Sequence, residues 1–187
     1  MLSLLYCRAG RPCRGKLPLL YWVRENIVCF KGLFKMDERE KKLAVLCRIA
    51  HSLNQGKVLW ALGGSLLLYL KGKTDTFHDI DLMVGEGDAE EAGRRLSALG
   101  ELLPQKSKAG YKTRHFLEYV IDGVEVDMMA GFVIVRDGVD YDCSLLPGQV
   151  AEYIQLNGET IPLQSLGDWR RYYELMGRPE KMKLIDG

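Results

Sequence analysis

A chain of 187 residues, 47% apolar and 27% charged, suits one domain with its own core and excludes a disordered or collagen-like class. No apolar run approaches the roughly 18 residues that a membrane helix needs, which excludes a spanning helix. The net charge of +1 hides an asymmetry: residues 1–36 carry seven Lys/Arg against Glu25, giving +6, and the other 151 residues carry 19 basic against 24 acidic groups, giving −5.

Residues 1–36 read as an N-terminal extension, a poorly structured arm or the product of a non-native start, with Met36 expected to be the natural first residue. A basic nucleic-acid-binding arm is the sharper alternative. Residues 1–6 are too short for the apolar core of a secretion signal, and no cationic region precedes them. Cys7, Cys13 and Cys29 fall in this segment, while Cys47 and Cys143 are isolated. No pair has zinc-ligand spacing, so reduced thiols and a cytoplasmic location are expected.

The domain expected over residues 37–187 opens with Asp37 as a helix cap and Glu40 as its capping-box partner. Leu43, Leu46, Cys47, Ile49, Ala50 and Leu53 follow at helical spacing, and Asn54-Gln55-Gly56 ends the helix. Lys57–Leu62 is a predicted strand, and residues 64–71 an almost wholly apolar, hence buried, helix. A polar loop leads to a second strand over 78–84, then a helix over 88–99 capped by Asp88 and stopped by Gly100.

Arg114–Ile121 and Val124–Ala130 form a predicted hairpin joined by Asp122-Gly123. A two-residue turn sets Tyr119 opposite Val126 and Glu118 opposite Asp127. Leu117, Tyr119, Ile121, Val124, Val126 and Met128 then share a core face, and Glu118, Glu125 and Asp127 the opposite one. Phe132–Val135 and Val139–Cys143 make a second hairpin, Asn157-Gly158 a third turn, Leu166–Met176 an amphipathic helix, and Gly177-Arg178-Pro179-Glu180 the start of a last one.

Chemistry concentrates in two motifs. Gly63-Gly64-Ser65 stands between the first strand and the buried helix, where amides and a helix start can approach a phosphate and the Ser65 hydroxyl can donate to it. Fourteen residues after Ser65 comes Asp79-Ile80-Asp81. On a strand, Asp79 and Asp81 project together, and two adjacent carboxylates repel unless a cation sits between them. Their hard oxygens suit Mg2+. Asp127 can join them on the same sheet face. Three carboxylates of this kind suit phosphoryl or nucleotidyl transfer, with two carboxylates bridging metals and the third anchoring the catalytic metal or taking a proton.

The order of strand, Gly-Gly-Ser, buried helix, Asp-x-Asp strand and a later Asp-bearing strand resembles the nucleotidyltransferase superfamily, whose fold is that of DNA polymerase beta. The closing Ile161-Pro162-Leu163, Leu166 and Gly177-Arg178-Pro179-Glu180-Lys181 is similar to the small stand-alone bacterial members, the antibiotic adenylyltransferases among them. The resemblance spans roughly residues 40–185 and implies an α/β (α+β) domain, a mixed sheet with flanking helices. It implies Gly63, Gly64 and Ser65 for nucleotide binding, Asp79, Asp81 and Asp127 for two Mg2+ ions, and Asp127 as the catalytic residue. It also implies transfer of a nucleoside monophosphate, AMP by analogy, from an NTP such as ATP to a hydroxyl-bearing small molecule, an antibiotic by analogy.

Two positions depart from the pattern or compete with it. Many relatives carry an Arg before Asp-x-Asp, where this chain offers Lys71 and Lys73; Glu125 shares the face of Asp127, which is preferred because it falls where the family places its Asp. Glu118 reads as an exposed hairpin position, and His78 as a local hydrogen-bonding group rather than a ligand. Lys106, Lys108, Lys112 and Arg114 read equally as a triphosphate or acceptor clamp and as a solvated hairpin approach. Trp60, Trp169, Tyr172 and Tyr173 read as packing. The −5 balance argues against broad nucleic-acid binding and leans toward a cationic acceptor. Only about 60 residues follow Asp127, so the acceptor site is expected to be shallow or completed by a second subunit in a homodimer. A toxin–antitoxin-type nucleotidyltransferase acting on protein or RNA, and a catalytically silent nucleotide-binding module, are the alternatives.

Overall fold

The computed structural model describes residues 37–105 and 110–187. The extension expected at 1–36, together with Lys106 and Lys108, lies outside the described residues. Helix α1, Glu38–Gln55, buries Val45, Leu46, Ile49, Ala50 and Leu53 along one stripe. Asp37 precedes it but makes no side-chain capping bond, so the capping box with Glu40 does not form. The acids of the first turn still complement the helix dipole.

Strand β1 is Trp60–Leu62, shorter than the predicted Lys57–Leu62. The missing residues close α1 instead: Lys57 takes a positive φ of 54°, and the Val58 N–H donates to Leu53 O at 3.1 Å. Helix α2, Gly64–Leu70, is buried over its first five residues. Strand β2 is Ile80–Val84, and helix α3, Ala89–Ser97, follows a short 3-10 turn at Glu86–Asp88. Asp88 caps nothing on α3; its carboxylate accepts the Leu59 N–H at 2.8 Å and ties the helix start to the approach of β1.

A two-residue edge strand, β3 at Glu101–Leu102, had no sequence signal of its own. Strands β4, His115–Ile121, and β5, Val124–Ala130, form the hairpin with the register its Asp122-Gly123 turn requires: Tyr119 faces Val126, and Glu118 faces Asp127. Strands β6, Val133–Arg136, and β7, Val139–Asp142, make a separate two-stranded sheet. Strands β8, Glu152–Leu156, and β9, Glu159–Leu163, turn at Asn157-Gly158 and lead to helices α4, Leu166–Leu175, and α5, Pro179–Asp186.

Among the described residues, seven strands form one mixed sheet in the order β3-β4-β5-β2-β1-β9-β8, with β2–β5 and β1–β9 parallel. The hairpin's two faces set the layers. Tyr119, on the apolar face, donates its hydroxyl to Gly93 O of α3 at 3.2 Å, which puts α3 on that side with its neighbour α1. Asp81, on the other face, abuts Gly64, which puts α2 and its neighbour α4 there. This is the mixed α+β arrangement expected from the sequence. No helix among the described residues is long and apolar enough to cross a membrane.

Candidate active site

Parallel pairing of β2 with β5 sets Asp81 directly beside Asp127, and partners in register project to the same face. Asp79 is held differently. It lies in a bend before β2 rather than on the strand, which corrects the strand predicted over 78–84. The buried Ser65 hydroxyl accepts the His78 N–H at 3.2 Å and lies 3.5 Å from Asp79 Oδ1, the outer limit of a hydrogen bond. So α2 positions the loop carboxylate. Asp79, Asp81 and Asp127 each offer an oxygen, and these oxygens all lie within 4.8 Å of one another.

Gathering three carboxylates is electrostatically costly, and Asp81 bears the cost. Burial first, then the charges of Asp79 and Asp127, push its carboxyl up to about 8, against the lowering pull of Arg178 and the Ser65 backbone N–H. The corner favours a proton or a cation. Its all-carboxylate oxygen donors fit a hard divalent ion such as Mg2+ and not a soft or imidazole-seeking one.

The glycines have a reason that sequence reasoning missed. Gly64 adopts φ +61°, and a Cβ there would lie 1.6 Å from Asp81 Oδ2. A Cβ on Gly63 would lie 2.1 Å from the Trp169 ring. Both positions must lack a side chain so that Asp81 and Trp169 can sit where they do, whatever is bound. Helix α2 starts at Gly64, one residue before the expected Ser65.

The other candidates separate cleanly. Glu125 is exposed beside the hairpin turn and stands outside the carboxylate cluster. Glu118 faces Asp127 across β4–β5 and is likewise outside it. Lys71 pairs with Glu152 at 2.5 Å, and Lys112 with Asp140 at 2.8 Å. Arg114 pairs with Glu86 at 2.9 Å and lines the cavity that the carboxylates open onto.

That cavity is about 740 Å3, within the usual range for small-molecule sites. Arg178 and Lys181 reach it from the start of α5; the sequence marked their motif through its family resemblance, but not that it lines the site. Gly177, at φ +67°, turns the chain, and the Arg178 N–H donates to Tyr173 O at 2.8 Å, which returns this segment to the site. Trp169 and Tyr173 are buried as expected of packing residues, yet also border the cavity. Burial, and then the charge of Asp81, raises the Tyr173 phenol, so it stays protonated.

The family described as aminoglycoside-2''-adenylyltransferase matches residues 45–186. Among solved structures, a Thermotoga maritima protein described as a nucleotidyltransferase is similar at 30% identity and a TM-score of 0.64, over 79% of this chain and 92% of that one. ANT(2'')-Ia in complex with adenylyl-2''-tobramycin is similar at 14% identity and a TM-score of 0.54, over 78% and 87% of the two chains. The lincosamide antibiotic adenylyltransferase LnuA, lincomycin-bound, is similar at 12% identity and a TM-score of 0.51, over 79% and 96%. These last two likenesses concern the fold. No curated protein matches the chain significantly.

Proposed function

The chain belongs to the aminoglycoside-2''-adenylyltransferase family and is a nucleotidyltransferase; from that premise we propose that it moves a nucleoside monophosphate, AMP, from ATP to a hydroxyl-bearing small molecule. The observation that carries this reading is the cluster of Asp79, Asp81 and Asp127 within 4.8 Å beside the Gly63-Gly64-Ser65 turn. In it, these three carboxylates would hold two Mg2+ ions, whose chemistry when bound would be to neutralise triphosphate charge and polarise the phosphorus.

The chain's own groups supply the rest. Asp127 takes the proton of the acceptor hydroxyl while that oxygen forms its bond to the α-phosphorus. The bond from the α-phosphorus to the pyrophosphate oxygen breaks, and pyrophosphate leaves with its electron pair. Arg178 and Lys181 offer positive charge to the departing group. Gly63, Gly64 and Ser65 border the phosphates from the start of α2. Catalysis here rests on positioning and charge, and no covalent enzyme intermediate is needed. The reaction belongs to the cytoplasm in this reading, and residues 1–36 take no part in it.

The test incubates the full chain with each of the four common NTPs, Mg2+ and a panel of hydroxyl-bearing acceptors. Pyrophosphate release accompanied by an acceptor adduct one nucleoside monophosphate heavier, read by mass spectrometry, is the expected result. Absence of both, together with NTP binding that ignores Mg2+ in calorimetry, overturns the reading.

A further inference from the structure

The lining of the cavity beyond its carboxylate corner bears on the acceptor, given the nucleotidyl-transfer reading above. Among the described residues lining it, the Asp, Glu, Lys and Arg other than Asp79, Asp81 and Asp127 are all basic: Arg114, Arg178 and Lys181. Other acids lie near it but stand outside the lining: Glu118, half-buried opposite Asp127 on β4, and three exposed, paired carboxylates. Glu86 and Asp142 meet Arg114, and Asp140 meets Lys112. The acidic excess of residues 37–187 is therefore carried outside the lining, within which three carboxylates balance three basic side chains.

Phe, Tyr and Trp rings make up the largest share of the uncharged lining, with His78, Gln105 and Thr113 as neutral hydrogen-bonding side chains among them. Tyr111 stacks on Phe132 at 6.1 Å between ring centres and 19° between planes. Phe132 meets Tyr172 edge-on at 5.9 Å, Tyr172 meets Trp169 at 5.6 Å, and Trp169 meets Tyr173 at 5.4 Å. These contacts form one continuous wall from the hairpin approach to the Gly63 turn, and Tyr111, Phe132, Trp169 and Tyr173 border the cavity along it. Phe116 and Met129, opposite each other across β4–β5, lie on the same sheet face as Asp127 and add apolar floor.

A polycationic sugar needs carboxylates to replace the water it gives up, because a desolvated ammonium without a partner is costly. The carboxylates of this lining are those that hold metal in the reading above. The groups left to meet the acceptor are rings, thioethers, cations and the neutral hydrogen-bonding side chains of His78, Gln105 and Thr113, and none of these is a carboxylate that could replace the water of an ammonium. We propose that the acceptor is an uncharged or anionic hydroxyl compound with an aromatic or apolar body, packed against the Tyr111–Phe132 wall with Arg114 as partner for any anionic group, and not a polycation. An acceptor of this class runs against the lean toward a cationic one drawn from net charge, because charge is weighed here by location.

Binding decides this without waiting for the natural acceptor. The full chain is loaded with Mg2+ and a non-hydrolysable ATP analogue, and then titrated with aryl alcohols and hydroxybenzoates on one side and tobramycin on the other. The aromatic set should bind at least roughly tenfold more tightly than tobramycin at moderate salt. Tyr111→Ala, at a half-buried rim position, should weaken the aromatic set by about three- to tenfold, the worth of one ring contact, and leave the affinity for the ATP analogue unchanged. Arg114→Glu should improve tobramycin binding, with its thermal melt confirming the fold. Tighter binding of tobramycin, binding of neither set, or a Tyr111→Ala effect that falls on the nucleotide would each overturn the proposal. Failure of the ATP analogue itself to bind with Mg2+ is a separate outcome, in which the nucleotidyl-transfer reading falls and this proposal with it.

Discussion

Two of the three carboxylates sit in register on neighbouring strands, and the third hangs from a bend that a single hydroxyl steadies. Asp81 and Asp127 are fixed by β2–β5 pairing, so neither can move without disturbing a ladder in the middle of the sheet. Asp79 depends on Ser65, which reaches out of α2 to the His78 N–H and toward Asp79 itself. In the proposed reading, the strand pair sets where a cation sits and the loop carboxylate closes around it. Perturbing the pair should therefore remove function, and perturbing the loop should weaken it.

The largest effect is expected where the strand pair meets α2. Gly64→Ala imposes a left-handed conformation that costs an L-residue on the order of 1–2 kcal/mol, and drives a methyl into the space of Asp81 Oδ2. Activity should fall by at least about a hundredfold, because a shift of an ångström in a positioned group costs that much. Thermal melting separates the two causes: a cooperative transition with lost Mg2+ response points to displaced Asp81. Wild-type turnover in this variant would show that the turn and the carboxylate tolerate each other's movement.

Asp127→Asn comes next. A carboxylate that acts mainly in the transition state should cost about 10²–10⁴ in kcat while much of the NTP affinity survives. Glu125→Gln, on the same face but exposed at the turn end, should change neither quantity. If Glu125→Gln abolishes turnover and Asp127→Asn spares it, the wrong member of β5 has been assigned.

The strand pair should also show itself in pH. The Asp81 carboxyl is raised, so the folded state holds its proton more tightly than the unfolded chain, where the value is about 3.9. Stability of the metal-free protein should then decline as pH rises from the unfolded value toward the raised folded one. Mg2+ competes for the same oxygens, so the melting-temperature increase it gives should grow across that window, to a few degrees on the order expected for ligand linkage. Melts at pH 5.5 to 8.5, with and without Mg2+, read both trends, and Asp81→Asn should flatten them. A Mg2+ effect independent of pH would separate the raised carboxyl from the metal site.

The same contrast marks what could be read from the sequence. Asp122-Gly123 fixed a two-residue turn, and the turn fixed the register, so the placement of Asp127 and the outward face of Glu125 followed from alternation alone. Asp79 could not be placed that way, because alternation holds only within a strand and β2 begins one residue later. The strand start of Lys57–Leu59 was lost to the closing turn of α1, which local apolarity does not reveal. Arg178, Lys181 and the aromatic wall come together from segments dozens of residues apart, and no period in the sequence encodes such a meeting. The glycine pair was legible as a motif and misread in part: phosphate approach was the expected reason, and the space needed by Asp81 and Trp169 is an independent one.

The smallest effect, and the one that bears most directly on the loop carboxylate, is Ser65→Ala. The hydroxyl is buried at 7% exposure and holds the His78 amide, so its loss costs about 1 kcal/mol, the usual worth of one hydrogen bond. Asp81 and Asp127 stay in register, so kcat at saturating Mg2+ should remain close to wild type. Affinity for Mg2+ should fall about fivefold, because that free energy now goes into ordering Asp79 around the ion. Measuring Mg2+ binding without nucleotide matters here, since a hydroxyl that served only the phosphate would leave metal affinity untouched and weaken ATP alone. A loss of kcat as large as that of Asp127→Asn would mean that the chemistry depends on the loop carboxylate no less than on the strand pair, and the distinction between them would fail.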